Sequence, residues 1–242
     1  MVKLINKIAV ITGASKGIGR AIAEAYAKEG AIVFCVSRTN SDLENVVDSI
    51  KSKGGKAIAF KADVTQYDQM NQLFDHINQQ YGKLDILVAN AGGNIEQSSI
   101  EEGSPEMWIK AIELNLFGVY FTVKAGIPLM KENGGKIITI GSGMGHQGII
   151  NESSYCCAKS GSWMLTRILA KELVEFNISV NEIIPGPVKT FQTRNLRDDP
   201  NSPFQIKGEW VKEPEDVVPL ALFLASQPEI GPTAQSFSLM RR

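Results

Sequence analysis

The opening of the chain constrains its fold more than any other stretch. An apolar run, Ile8–Ile11, passes directly into Thr12-Gly13-Ala14-Ser15-Lys16-Gly17-Ile18-Gly19, and this loop leads into a helix whose apolar positions Ile18, Ile22 and Tyr26 recur every four residues. A strand that turns within a few residues into an amphipathic helix is the first half of a βαβ unit, because the helix carries the chain back to start a parallel neighbour. Glycine in that turn permits a tight reversal and lets a pyrophosphate approach the backbone, with its charge at the helix N-terminus. Taken alone, the loop is read equally well as a plain connector. It is not a P-loop, because no Gly-Lys-Ser/Thr ends it.

The alternation continues along the chain. Strand candidates at Ile8–Ile11, Ile32–Ser37, Ala57–Lys61, Ile86–Ala89, Ile137–Gly141, Ile178–Ile183 and Ser236–Leu239 are separated by helix candidates at Gly19–Glu29, Asp42–Lys53, Tyr67–Tyr81, Pro105–Lys131, Ser153–Glu175 and Pro214–Ala225. The strand runs lack a clean in–out alternation, as expected of strands covered on both faces. The expected fold is α/β, a single doubly wound (Rossmann) domain over residues 1–242 with a seven-stranded, mostly parallel sheet and helices on both faces. With 242 residues and 43 % hydrophobic content, one core of this kind is readily filled, and no repeat or break in composition marks a second domain. Six of the 10 prolines fall between Pro185 and Pro219, and Phe191–Trp210 keeps no period. A structureless stretch of that length in a compact domain reads as a functional segment, here a substrate lid over residues 191–210.

Composition removes several other functions. Lys+Arg 25 stands against Asp+Glu 26 with no block of like charge, so a nucleic-acid partner is not expected. Cys35, Cys156 and Cys157 have neither the spacing of a disulfide framework nor that of zinc ligands; a reducing, cytoplasmic setting and no metal are expected. No run approaches about 18 apolar residues, and the strand at Ile8 leaves no room before it for a signal segment, so no membrane partner is expected. Only His76 and His146 are available, and Ser142 lies in Ile140-Gly141-Ser142-Gly143-Met144 rather than a G-x-S-x-G elbow, which leaves a serine hydrolase without support.

The glycine spacing G-x-x-x-G-x-G resembles the TGxxxGxG of the short-chain dehydrogenase/reductase family, and that family's other marks follow in order. Asp63-Val64 after the third strand resembles its adenine-contacting Asp, Asn90-Ala91-Gly92 after the fourth its NAG turn, and Pro185-Gly186-Pro187-Val188-Lys189-Thr190 the PGxxxT turn that meets the nicotinamide carboxamide. The resemblance implies a cofactor groove of Gly13, Ser15, Lys16, Gly17, Ile18, Gly19, Arg38, Asp63, Val64, Asn90, Ala91, Gly92, Pro185, Gly186, Val188 and Thr190. The second strand ends Val36-Ser37-Arg38, where an acidic residue would accept from a free 2′-hydroxyl and repel a 2′-phosphate. Ser37 does neither and Arg38 can pair bidentately with the phosphate, while Lys16 adds a second cation by resemblance to NADP-preferring members; NADP(H) is favoured over NAD(H).

Tyr155 and Lys159 lie four apart on a helix candidate and so share one face. A neighbouring ammonium is expected to draw a phenol down from its ordinary pKa of about 10, which fits Tyr155 for acid–base work. Ser142, thirteen residues before Tyr155 at a strand end, is placed to polarise a carbonyl oxygen. The resemblance makes Asn115 the fourth member of this catalytic set, and His146, in the loop Gly143–Gly148 after Ser142, is a candidate pocket residue. It implies a hydride transfer between a nicotinamide and a small carbonyl or alcohol substrate, either reduction of a 3-oxoacyl-type or other ketone, or oxidation of an alcohol or sugar. A cofactor-sensing protein on the same fold is the non-enzyme reading, against which the full Ser, Tyr, Lys and Asn set counts. The subgroup most similar in wording, the 3-oxoacyl-carrier-protein reductases, docks an acidic carrier on basic residues. Here those places read Lys171-Glu172-Leu173-Val174-Glu175-Phe176 and Glu132-Asn133-Gly134-Gly135, so acid stands where base is expected. The resemblance also implies a homotetramer built through the two long helices and the last strand, with Arg241 and Arg242 near a subunit contact.

Overall fold

The computed structural model describes residues 3–194, 202–228 and 231–241. Residues 195–201 of the expected lid, and Arg242, lie outside the described residues. Seven strands, β1 (Ile8–Thr12), β2 (Ile32–Ser37), β3 (Lys56–Lys61), β4 (Ile86–Ala89), β5 (Gly135–Ile140), β6 (Ile178–Ile184) and β7 (Ser236–Ser238), form one sheet in the order β3-β2-β1-β4-β5-β6-β7. Every pairing is parallel, so the sheet is wholly and not just mostly parallel. Parallel neighbours need a crossover between them, and the helices α1 (Gly17–Lys28), α2 (Asn40–Ser52), α3 (Tyr67–Tyr81), α4 (Pro105–Ile112), α5 (Gly118–Gly126), α6 (Ser153–Glu172) and α7 (Val218–Ala225) supply the crossovers.

The two faces of the sheet explain why the strands read as continuous apolar runs. On one face Ile22 and Tyr26 of α1, Leu43, Val46 and Ile50 of α2, and Ala221 and Leu224 of α7 pack against Ala9, Ile11, Val33 and Val88. On the other, Met70, Leu73, Phe74 and Ile77 of α3, Val119 and Val123 of α5, and Leu169 and Ala170 of α6 cover Val10, Phe34, Leu87 and Ile137. β1 is buried at all five positions. Tyr26 is fully buried, and its hydroxyl donates to the Ala221 carbonyl at 2.8 Å, tying α1 to α7.

One expected element is broken. The stretch Pro105–Lys131 is read from sequence as a single helix, but α4 ends at Ile112, a π-helical turn spans Glu113–Phe117, and α5 follows. Within this turn the Asn115 side chain donates to the Ala111 carbonyl at 3.0 Å. A side chain inserted into the backbone ladder is one cause of such a widening, and π turns recur at functional sites.

Candidate active site

The strand order fixes where the site lies. β1 pairs with β2 on one side and β4 on the other, so the segments leaving β1 and β4 diverge from adjacent carboxyl ends. Thr12 joins them: its Oγ1 accepts the backbone N–H groups of Asn90 and Ala91, each at 3.0 Å. Asn90 Nδ2 returns a bond to the Thr12 carbonyl at 2.8 Å. The glycine loop therefore sits against the 90–92 turn with no room between. Gly13 has φ +66, and a Cβ there would stand 2.8 Å from Asn90 Nδ2. Gly17, φ +54, opens α1 and faces the Thr190 methyl, which a Cβ would meet at 3.1 Å. Side chains at these two positions would fill the cradle at the N-terminus of α1, where unpaired backbone N–H groups face an anion. The residues present thus fit a dinucleotide, whose anionic part the backbone N–H groups at the N-terminus of α1 would hold.

The remaining cofactor candidates divide by their surroundings. Gly186 is left-handed at φ +69, Val188 is buried, and Thr193 Oγ1 donates to the Val188 carbonyl at 2.8 Å while accepting the Thr190 N–H at 2.9 Å, so hydrogen bonds close the turn after β6. Asp63 accepts from the Thr65 N–H and hydroxyl at 3.0 and 2.9 Å, which shapes the turn into α3. Val64 is buried, and a Cβ on Gly118 would stand 2.7 Å from its Cγ2, so its contact is with α5. Ser15 is partly covered in the loop, Ile18 packs on the core under α1, and Arg38 is exposed in the bend between β2 and α2. Lys16 is already engaged, 2.8 Å from Asp42 Oδ2 and 5.2 Å above the Phe191 ring.

The four catalytic candidates converge at the ends of β4 and β5. A Cβ on Gly92 would lie 2.7 Å from Asn115 Oδ1 and 3.4 Å from Lys159 Nζ, so these three meet. Asn115 is fully buried; its Oδ1 accepts the Gly93 N–H at 2.9 Å and its Nδ2 donates to the Gly93 carbonyl at 2.9 Å. Lys159, on α6, is buried and donates to the Ile140 carbonyl at 2.7 Å. Ser142 follows β5; its Oγ accepts the Met144 N–H at 3.2 Å, which leaves its own proton to donate. Tyr155 is half-buried, with the Lys159 ammonium 5.7 Å from its ring centroid.

The electrostatics differ from the sequence expectation. Desolvation pushes the Tyr155 phenol up to about 12, with the charges of Glu152 and Cys156 adding to it and Ser142 alone pulling it back. Burial also draws Lys159 down to about 8, against the field of Glu182. Spacing alone shows that an ammonium is near a phenol; it does not show how far each is withdrawn from water, which disfavours either charge.

His146 does not turn toward the cleft: its ring packs on Trp163 with centroids 4.9 Å apart, and its Nε2 lies 3.1 Å from Glu182 Oε2. Several residues at the site carried no sequence signal. Gln192 donates to the Gly92 carbonyl at 3.0 Å, and Arg194 stacks on Phe191 at 3.7 Å. Glu152 is buried and accepts from Asn94 and Gln97, both at 2.5 Å, stitching the loop after β4 to the start of α6; its burial raises its pKa against those two bonds. None of these lies in a motif, and only the folded chain brings them together.

Comparison with known proteins accords with this geometry. The family profile for short chain dehydrogenase matches residues 7–201. A 3-oxoacyl-[acyl-carrier-protein] reductase from Synechocystis is 35 % identical over 242 residues, covering 99 % of this chain and 97 % of that protein. A Beutenbergia cavernae structure assigned as an NAD(P)-dependent gluconate 5-dehydrogenase, with NADP bound at low occupancy, superposes at TM-score 0.91 with 33 % identity over 98 % of this chain and 96 % of that one. Carveol dehydrogenase from Mycobacterium avium, in complex with NAD, gives TM-score 0.91 at 28 % identity over 99 % and 98 % of the two chains. With its glycine cradle, its Ser, Tyr, Lys and Asn set and these matches over nearly its whole length, the chain belongs to the short-chain dehydrogenase/reductase family and is an NAD(P)-dependent oxidoreductase.

Proposed function

We propose that this protein reduces a ketone with NADPH, using Tyr155 as the proton donor. The observation that supports this reading is the meeting of Ser142, Tyr155, Lys159 and Asn115 at the ends of β4 and β5, with burial keeping the proton on the Tyr155 phenol. A reductase needs that proton in place, whereas an alcohol dehydrogenase needs the phenolate. A nicotinamide in the groove supplies the hydride. Ser142 donates to the substrate oxygen and polarises the C=O bond; as the carbon becomes tetrahedral, Tyr155 gives its proton to the oxygen, forming the alcohol. The Lys159 ammonium stabilises the phenolate left behind. Asn115, bonded twice to Gly93, holds the 90–93 turn against Lys159.

Three finer assignments go with this reading. Arg38 and Lys16 favour the 2′-phosphorylated cofactor, and Gly13, Ser15, Gly17, Ile18, Gly19, Asp63, Val64, Asn90, Ala91, Gly92, Pro185, Gly186, Val188 and Thr190 form the remainder of the groove. The ketone is free rather than carried by an acidic protein, because Glu132 and Glu175 share one surface groove where Lys131 is turned onto the Phe176 ring at 4.5 Å. The chain forms a homotetramer, which covers the exposed Trp108, Ile109, Phe117, Tyr120, Met164 and Ile168 of α4, the π turn, α5 and α6. Reduced-nicotinamide absorbance followed over a panel of ketones and alcohols tests the activity. Tyr155→Phe should lose at least about 100-fold in turnover with cofactor affinity unchanged, in the usual range for general acid catalysis; turnover equal to the parent's refutes the mechanism. A monomeric mass in light scattering refutes the assembly.

A further inference from the structure

Behind the strand end that carries Ser142 lies a carboxylate for which the proposed mechanism has no use. Glu182 of β6 is 1 % exposed. Its side chain lies against Gly141, just past the end of β5, where any Cβ would collide with Glu182 Oε1. Ser236 of β7 donates to Oε2 at 2.6 Å, and His146 Nε2 lies 3.1 Å from the same oxygen. Oε1 is buried without a hydrogen-bond partner among the described residues. Burying a carboxylate with half its hydrogen-bonding capacity unmet is costly, so its retention asks for a compensating charge.

That charge is within the same layer. Lys159 donates to the Ile140 carbonyl at 2.7 Å, and Glu182 lies against Gly141, the next residue. The two side chains therefore flank the Ile140–Gly141 stretch at the end of β5 and make no direct ion pair among the described residues. Around Glu182, β5 presents Thr139, β7 presents Ser236, and the turn after β5 presents Gly141 and His146; α6 presents Lys159 and, beyond Trp163, Arg167, stacked at 5.4 Å on that ring. Lys159 and Arg167 are the lysine and arginine of that set, and Arg167 is turned outward to the Ala234 carbonyl.

We propose that Glu182 is a positioning residue of the reaction: its buried carboxylate holds Lys159 in the cationic form that Tyr155 needs, and through His146 it fixes the 141–146 turn that carries Ser142. This rests on the roles given above to Lys159 and Ser142. The field of Glu182 acts on Lys159 in the required sense, opposing the downward pull of burial. His146 is thereby a strut between Glu182 and Trp163.

The test reads Lys159 directly and needs no substrate. In full-length protein carrying ε-13C lysine, with NADPH bound, the Lys159 resonance, assigned with Lys159→Arg, is titrated by NMR. Glu182→Gln should lower its midpoint by about 1 pH unit, the effect of removing one unit charge across a partly desolvated gap. Glu182→Asp keeps the charge and should restore the midpoint, and Ser236→Ala, which removes a bond but no charge, should leave it in place. With a ketone that is turned over, the alkaline limb of kcat should shift down by the same amount in Glu182→Gln, with KM changed less than 2-fold. An unmoved Lys159 midpoint in Glu182→Gln overturns the proposal; if that variant does not fold, an equal displacement by Ser236→Ala and Glu182→Asp overturns it instead. Failure to find a reducible ketone bears on the proposed function and leaves this titration readable.

Discussion

The Lys16–Asp42 pair gives the cofactor assignment a quantitative test. Lys16 lies in the glycine loop, Asp42 is the third residue of α2, and their charged atoms are 2.8 Å apart with side chains 56 % and 31 % exposed. An exposed pair of this kind is worth about 0.2–1 kcal/mol, which is lost if a phosphate takes the ammonium. A 2′-phosphate reaching Lys16 would also stand about 5 Å from the Asp42 carboxylate, where charges of −1 and about −1.75 repel by about 1.5 kcal/mol in water, and by about half that at physiological salt. Asp42→Asn removes both penalties and should tighten NADPH by about 1 kcal/mol, roughly 5-fold. NADH, which has no 2′-phosphate, should change less than 2-fold. Because Asp42 also faces the positive end of α2, the variant should lose about 0.3–1 kcal/mol of stability, a fall of about 1–3 °C in Tm. Fluorescence titration with both cofactors at low and high salt is the assay, and the NADPH gain should shrink as salt rises. Equal tightening of NADH, or no change for NADPH, would show that Lys16 does not face the 2′-phosphate and would refute the reasoning.

Other perturbations have defined outcomes. Tyr26→Phe removes a fully buried hydroxyl bonded to Ala221 and should cost about 1–2 kcal/mol, lowering Tm by about 4 °C with no effect on cofactor affinity. Asp85 is desolvated, but the Ile8 N–H and the Lys7 and Lys83 ammonium groups outweigh that and hold its pKa below the usual carboxylate value. A depressed folded pKa gives stability that is complete above the unfolded value near 4 and is lost as pH falls through the folded one. Chemical denaturation from pH 6 to 2 should therefore show Asp85→Asn less stable by about 1–2 kcal/mol at neutral pH and level with the parent at the acid end. Ketone reduction should decline as pH rises through about 8, where Lys159 gives up its proton, and a rate that is flat from pH 7 to 10 would contradict the role given to that residue.

Much of this fold was legible because parallel strands buried on both faces have to be apolar throughout. β1 and β4 stand out as Ile8–Ile11 and Ile86–Ala89 for that reason, and their boundaries shift by no more than a residue in the structure. The glycine loop was legible because Gly13 and Gly17 occupy left-handed backbone, which few other residues tolerate. Asp42, Gln192 and Glu152 were not legible. Each is a polar residue of ordinary composition whose role comes from a partner that the fold delivers: Lys16 from the preceding βα turn, Gly92 from 100 residues upstream, Asn94 and Gln97 from another loop. Titration was the least legible property of all. The spacing of Tyr155 and Lys159 fixes their shared face but not the water around them, and the loss of water governs both groups here.

The π turn at Glu113–Phe117 shows how a departure from regular structure serves the site. A continuous helix would set Asn115 in register with Ala111 and satisfy its carbonyl by the backbone alone. Here the Asn115 side-chain amide donates to that carbonyl as well, and the same side chain accepts the Gly93 N–H and donates to the Gly93 carbonyl. The widened turn thus converts a helix residue into a clamp on the segment following β4, at the point where a Cβ on Gly92 would strike Asn115 and touch Lys159. One residue thereby brings the 90–93 turn and Lys159 together, and it does so from a π turn, a helix irregularity that recurs at functional sites. Leu116, the next residue, packs against Gly161 on α6, two residues beyond Lys159, so the distortion is held in place by the helix whose lysine it serves.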